Sequence, residues 1–209
     1  MKKSLIELKK IYENDLKNFG PNNKGVGWKN KKDATLRYEI MSGLILTAKK
    51  NHSVIDLGCG LSDFYKYIKS KKFKTNYIGI DLSENMINIC KKRYPNNNYY
   101  CLDILHDHKK IPKVDYIIIN GLFTQKANYS NLIMFKFLKS VLQISWKKTK
   151  IGLAFNVMSE YVDWKNKNNF YLNLSKITDF LKKNLGNRFI INHSYGLHEY
   201  TVFIYKKTR

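Results

Sequence analysis

Two short stretches carry the residues best suited to chemistry. VIDLGCG at 54–60 runs apolar residues and Asp56 into Gly58-Cys59-Gly60, and YIGIDLS at 77–83 ends a second apolar run at Asp81. Asp81 follows Gly60 by 21 positions, room for a turn, a helix and a second strand. In a doubly wound α/β sheet that arrangement makes a nucleoside pocket. The glycines let the backbone pass close to a ligand, and the carboxylate takes the two ribose hydroxyls.

The turn also says which nucleoside. A dinucleotide site needs a third small residue, so that a diphosphate can rest on the helix N-terminus. This turn reads Gly58-Cys59-Gly60-Leu61-Ser62-Asp63, with Asp63 in the third glycine position. A carboxylate there repels a diphosphate but accommodates the ammonium of an amino-acid moiety, which favours S-adenosylmethionine (SAM) over NAD or FAD.

The elements that must position these residues alternate along the chain. Residues 4–19 carry Leu5, Leu8, Ile11, Tyr12, Leu16 and Phe19 at helical spacing. The loop 19–32 is punctuated by Gly20, Pro21, Gly25 and Gly27, and Asp33 is the expected cap of a helix reaching about Lys49. Strands are expected at HSVIDL, NYIGID, NYYCLD, the unbroken apolar run VDYIIIN (114–120) and KIGLAFNV (150–157). Helices follow Ser62 or Asp63, follow Ser83, and cover 129–147. A loop is expected over 158–173 and a helix over 175–184. RFIINHSY (188–195) and EYTVFIYK (199–206), joined by Gly196-Leu197-His198, form an antiparallel hairpin.

DLGCG, GIDLS and CLDI resemble the motifs of class I SAM-dependent methyltransferases over about residues 33–206. The resemblance implies an α/β fold: a seven-stranded, mostly parallel Rossmann-like sheet of order 3-2-1-4-5-7-6, its last strand antiparallel. Residues 1–32 then form an N-terminal helix and lid loop, and 33–209 the methyltransferase domain. It also implies that Asp56, Gly58, Cys59, Gly60 and Asp63 lie along the methionine part of SAM. Asp81 takes the ribose, Leu82 and Met86 flank the adenine, and Asp103 with Ile104 holds the adenine edge. Asn120 and Gly121 border the sulfonium and the acceptor. NGLF (120–123) lacks the two prolines of methyltransferases that hold an exocyclic base amine, which argues against such an acceptor.

Three further stretches resemble a bacterial subgroup acting on small molecules: GVGWKNKKDATLRYEIM (25–41), MSEYVDW (158–164) and HSYGLHEYTVFIY (193–205). The subgroup implies a lid with Trp28 over the cofactor and Arg37 on the SAM carboxylate. The plainer alternatives are a Trp28 that staples its loop and an Arg37 in a surface salt bridge. His193 is the candidate general base, because imidazole titrates near neutrality, with Tyr161 and Asn120 beside the acceptor. Leu82 and Met86 equally suit ordinary core.

Composition bounds the rest. A chain of 209 residues suits one domain, with no transmembrane-length apolar run and no secretory core at its start. Cys59, Cys90 and Cys101 have no paired spacing and read as free thiols of a cytoplasmic protein. His106-Asp107-His108 lacks a third ligand at a recognisable spacing, so no metal is expected. The formal charge is +22, but the lysines are dispersed and only Arg37, Arg93, Arg188 and Arg209 are arginine. That pattern favours a solvated surface over nucleic-acid binding, while still drawing in an anionic small molecule. The expected activity is methyl transfer to a small-molecule acceptor, at a hydroxyl or other oxygen of a sugar-containing or anionic metabolite. RNA or protein methylation, and a SAM-binding subunit without catalysis, stay open as alternatives.

Overall fold

The computed structural model describes residues 2–45 and 51–206. Helix α1 (Lys2–Phe19) and α2 (Lys31–Ser42) precede β1 (His52–Leu57). Then α3 (Asp63–Ser70), β2 (Thr75–Asp81), α4 (Glu84–Arg93), β3 (Asn98–Cys101) and the single turn α5 (Ile104–Asp107) alternate. They are followed by β4 (Val114–Ile119), α6 (Asn131–Lys148), β5 (Thr149–Ser159), a two-residue β6 (Tyr171–Leu172), α7 (Leu174–Asn184), β7 (Phe189–Asn192) and β8 (Glu199–Tyr205).

The strands lie in the order β3-β2-β1-β4-β5-β8-β7, with β6 attached to the end of β5. Leaving the short β6 aside, this is the expected 3-2-1-4-5-7-6 sheet. The pairs from β3 through β5 are parallel, and β8 runs antiparallel to both β5 and β7.

The strand side chains divide by period two between the faces. Ile117 and Ile119 pack with α6 and α7 in one core, and Tyr116 and Ile118 pack with α2, α3 and α4 in the other. Helices on both faces bury β4 completely enough that five of its six residues are buried, which is why its sequence is a continuous apolar run. Leu8 of α1 joins the first core, so the N-terminal helix is packed against the domain.

The differences from expectation are local and have physical causes. Asn30, not Asp33, caps α2: its side chain accepts from the Asp33 N–H at 2.8 Å and donates to Asp33 Oδ2 at 2.8 Å. Asp33 therefore sits in the first turn, where a carboxylate suits the helix dipole. The helix closes at Ser42, and the part expected at 46–49 lies outside the described residues. Ser62 precedes α3 in a left-handed conformation (φ 60°) without a side-chain cap, because its hydroxyl is turned to Cys90 Sγ at 3.3 Å. β6 falls inside the expected 158–173 loop, since two residues carry no period. The single turn α5 starts directly after Asp103, whose side chain caps it by accepting from Leu105 N–H.

At the junction of β4, β5 and α6, Phe123 meets Phe137 and Phe155 edge-on, with centroids 5.8 and 6.1 Å apart, and is 0% exposed. Phe123→Ala removes the shared ring of that trio. It is expected to lower the unfolding free energy by about 3–5 kcal/mol, read as a lower urea midpoint with unchanged denaturant slope.

Candidate functional site: a carboxylate-lined cleft at the strand ends

β1 ends in a turn that the rest of the site is tied to. Gly58 (φ 77°) and Cys59 both donate their N–H to Ile80 O, at 2.8 and 3.1 Å, lacing the turn to β2. Gly60 (φ 52°) donates to Asp81 Oδ2 at 2.9 Å, and Ser83 N–H donates to Asp81 Oδ1 at 2.9 Å. Gly60 is needed for more than its φ. A Cβ there would sit 3.1 Å from Val26 Cγ1, so the N-terminal loop lies directly on the turn.

Asp81 thus spends one lone pair of each oxygen on the backbone. A carboxylate offers about four acceptor sites, so two remain for ligand donors. That is the arrangement a pair of vicinal hydroxyls requires. Burial pushes the Asp81 carboxyl up, and the hydrogen-bonded N–H groups of Ser83 and Gly60 hold it down in part.

Two more carboxylates line the same cleft, Asp56 and Asp63. Tyr77 O–H donates to Asp56 Oδ2 at 2.7 Å. Burial still raises Asp56 to about 7, with the charges of Asp81 and Asp63 adding to the rise. Asp63 is raised by burial, against the pull of Arg93, Lys66 and Lys31. A cleft lined by three acids is suited to a cation.

The cover comes from the N-terminus. Lys9 and Tyr12 of α1 and Trp28 of the following loop line the cleft. Burial, aided by Asp81 and Asp15, pushes the Tyr12 hydroxyl far above its ordinary range, so it stays protonated and can donate. Trp28 lies against Gly121, where a Cβ would come within 2.6 Å of the indole Cη2. Gly121 has φ 84° and donates its N–H to Asn156 Oδ1 at 2.7 Å.

Beyond Gly121 the wall changes character. Asn120, Leu122, Thr124, Gln125 and Phe137 line it. Asn120 Oδ1 and Thr124 Oγ1 are buried without a hydrogen-bond partner. Buried polar atoms are ordinarily satisfied, so this pair marks the wall where a ligand's polar groups fit.

The cleft gathers Trp28, Asp56, Gly58, Cys59, Gly60, Asp63, Asp81, Leu82, Met86, Ile104, Asn120 and Gly121 from the residues read off the sequence. It does not gather the other four. Arg37 is held away by Glu199: its Nε and Nη2 donate to both carboxylate oxygens at 2.8–3.0 Å. Asp103 caps α5, accepting from Leu105 N–H at 2.8 Å, and lies 3.7 Å from His106 Nε2. Tyr161 is 64% exposed. His193 is exposed just past β7, edge-on to Tyr200 with centroids 6.1 Å apart, and is not on the cleft wall.

Sequence reasoning passed over Lys9, Thr124, Gln125 and Tyr77. Lys9 stands beside Leu8 on the apolar face of α1, and its neighbourhood to Asp81 is tertiary. Tyr77 lies two residues before Gly79 in β2, and only strand pairing brings it over Asp56.

Together these features define an open α/β domain with a nucleoside-type cleft at the carboxyl ends of its strands. A family model described as "Methyltransferase domain" matches residues 48–192, well over half of the chain. The chain belongs to that family. A Mycobacterium tuberculosis protein named "Putative methyltransferase Rv1506c" is 25% identical over 167 residues, spanning 78% of this chain and 98% of that protein. Among solved structures, the magnesium protoporphyrin IX methyltransferase ChlM of Synechocystis PCC 6803 with bound SAH superposes with a TM-score of 0.67 at 13% identity, over 95% of this chain and 100% of that one. The plantazolicin methyltransferase BamL, with a triazolic desmethylPZN analog and SAH, gives 0.67 at 14% identity over 97% of both chains. At these identities the two structures share the fold.

Asp56 yields a pH prediction. Its folded-state pKa lies above its ordinary value of 3.8, so its protonated form favours the folded chain. That contribution is complete below the unfolded pKa and is lost as pH rises through about 7. Asp56→Asn cannot ionise and can still accept from Tyr77. It is expected to flatten the fall in stability of the ligand-free protein between pH 5.5 and 8, leaving the variant on the order of 2–4 kcal/mol more stable at the upper end. Urea unfolding at both pH values reads this out, and equal slopes in variant and wild type would contradict it.

Proposed function

We propose that this chain is a SAM-dependent methyltransferase acting on a small molecule. One observation carries the reading above the others: Asp81, at the end of β2 and laced to the glycine turn, keeps two lone pairs for a ribose, while Asp63 stands where a dinucleotide site has glycine. The three acids suit the cationic sulfonium and ammonium of SAM. The similar proteins described above agree with this reading: all are named as methyltransferases, and two of them were solved with SAH.

SAM supplies a methyl group already activated on a sulfonium. The work of the protein residues is therefore placement, and orientation alone supplies up to about 7–11 kcal/mol of barrier lowering. Asp81 takes the ribose hydroxyls, and Asp63 and Asn120 face the amino-acid ammonium. Leu82, Met86 and Ile104 hold the adenine by apolar contact, and Trp28 and Tyr12 exclude water from above.

The acceptor belongs on the Asn120–Phe137 wall. With His193 away from the cleft, the acceptor brings its own nucleophile. Of the oxygen acceptors expected from the sequence, the anionic ones fit this better than a sugar hydroxyl: a carboxylate, or a phenol already ionised. The +22 chain draws such an anion in. The free thiols of Cys59, Cys90 and Cys101 suit a reducing, cytosolic setting.

Asp81→Ala tests the central assignment. Losing the charge-assisted hydrogen bonds to the ribose is expected to weaken SAM binding by about 1.5–3 kcal/mol, measured by calorimetry at pH 8. Unchanged affinity would overturn the ribose assignment. His193→Ala is expected to leave both SAM affinity and turnover at wild-type values; a loss of turnover alone would restore it as the base.

A further inference from the structure

Glu199, the first residue of β8, lies off the cleft wall, yet it is the most fully engaged carboxylate among the described residues. Its side chain is 1% exposed. Arg37 grips both oxygens, from Nε at 3.0 Å to each and from Nη2 at 2.8 Å to Oε2. Asn156 Nδ2 donates to Oε1 at 2.8 Å, and Tyr195 O–H donates to the same oxygen at 3.3 Å. A charge this buried is tolerable only with such complete satisfaction.

Two arms leave Glu199 and meet again at the cleft. In the first, the Arg37 guanidinium lies 4.4 Å from the centre of the Trp28 ring, and Trp28 rests on Gly121. In the second, Asn156 Oδ1 accepts the Gly121 N–H at 2.7 Å. Both the lid tryptophan and the peptide beside Asn120 are therefore set by one carboxylate on a strand the cleft does not include. An ion pair serving only to tie α2 to β8 would need neither Asn156 nor the contact of Trp28 with Gly121.

We infer that Glu199 is a positioning residue for methyl transfer, holding the Trp28 wall and the Gly121 peptide in place through Arg37 and Asn156. It touches no reacting atom itself. The inference rests on the reading of the cleft as a SAM site. It also accounts for Arg37, whose guanidinium shapes the lid by stacking and leaves the cofactor carboxylate to others.

The test uses the full chain carrying Trp146→Phe and Trp164→Phe, so that Trp28 is the only tryptophan, with S-adenosylhomocysteine as the probe. Stopped-flow Trp28 fluorescence gives the dissociation rate, and NMR hydrogen exchange gives the protection of the Gly121 amide. Glu199→Gln keeps the shape and removes the charge; dissociation is expected to accelerate about tenfold, since such changes are mostly expressed in off-rates. Gly121 exchange should accelerate with it, while β2 amides keep their protection. Arg37→Lys breaks the fork while preserving the charge, and should also speed dissociation if Glu199→Gln folds poorly. Tyr195→Phe removes a hydrogen bond on neither arm and should leave the rate unchanged. Unaltered dissociation in both Glu199→Gln and Arg37→Lys overturns the inference, as does a uniform loss of protection across the sheet. Absence of any binding by the unsubstituted protein would overturn the SAM reading itself.

Discussion

Confinement of Asp56, Asp63 and Asp81 within one covered cleft is the constraint around which this molecule is arranged. Carboxylates removed from water are costly unless they are hydrogen-bonded, neutralised or matched by a cation. Each of the three meets that requirement differently. Asp81 takes backbone N–H groups from Gly60 and Ser83, Asp56 takes the Tyr77 hydroxyl and is raised to about 7, and Asp63 is eased by Arg93, Lys66 and Lys31. The glycine turn, the cap of α4 and the pairing of β1 with β2 serve that placement. What the protein groups leave uncompensated is the need for a positive ligand.

The N-terminal segment roofs part of the cleft at the strand ends. α1 brings Tyr12 and Lys9 over the Asp81 end, and the loop lays Val26 on Gly60 and Trp28 on Gly121. The loop is anchored to β8, between β5 and β7, through the Arg37 guanidinium that lies on Trp28 and is held by Glu199. Partial exclusion of water by this cover strengthens the electrostatics of the cleft.

The features legible in the sequence were those with a local signature. The glycine turn, Asp63 in its third position and Asp81 at the end of the next strand have fixed spacings, because turn geometry and strand register link them directly. β4 announced its double burial through an unbroken apolar run. The features that were not legible depend on partners far apart in the chain. Arg37 looked like a cofactor ligand because nothing local reveals Glu199, 162 positions away. His193 looked like a base from residue type alone, and the hairpin leaves it outside the cleft. Tyr77 and Thr124 gained their roles only when strand pairing and helix packing placed them. Asp103 was read by its position after a strand, but the chain turns at once into α5 and uses it as a cap.

A crystal structure of the chain with S-adenosylhomocysteine tests the central claim most directly. The account predicts the ribose hydroxyls within hydrogen-bonding distance of both Asp81 oxygens, the adenine between Leu82 and Ile104, and the ammonium facing Asp63 and Asn120, with Trp28 closed over the sulfur. A ligand lying in the reverse orientation, or binding away from the Gly58–Gly60 turn, would contradict it.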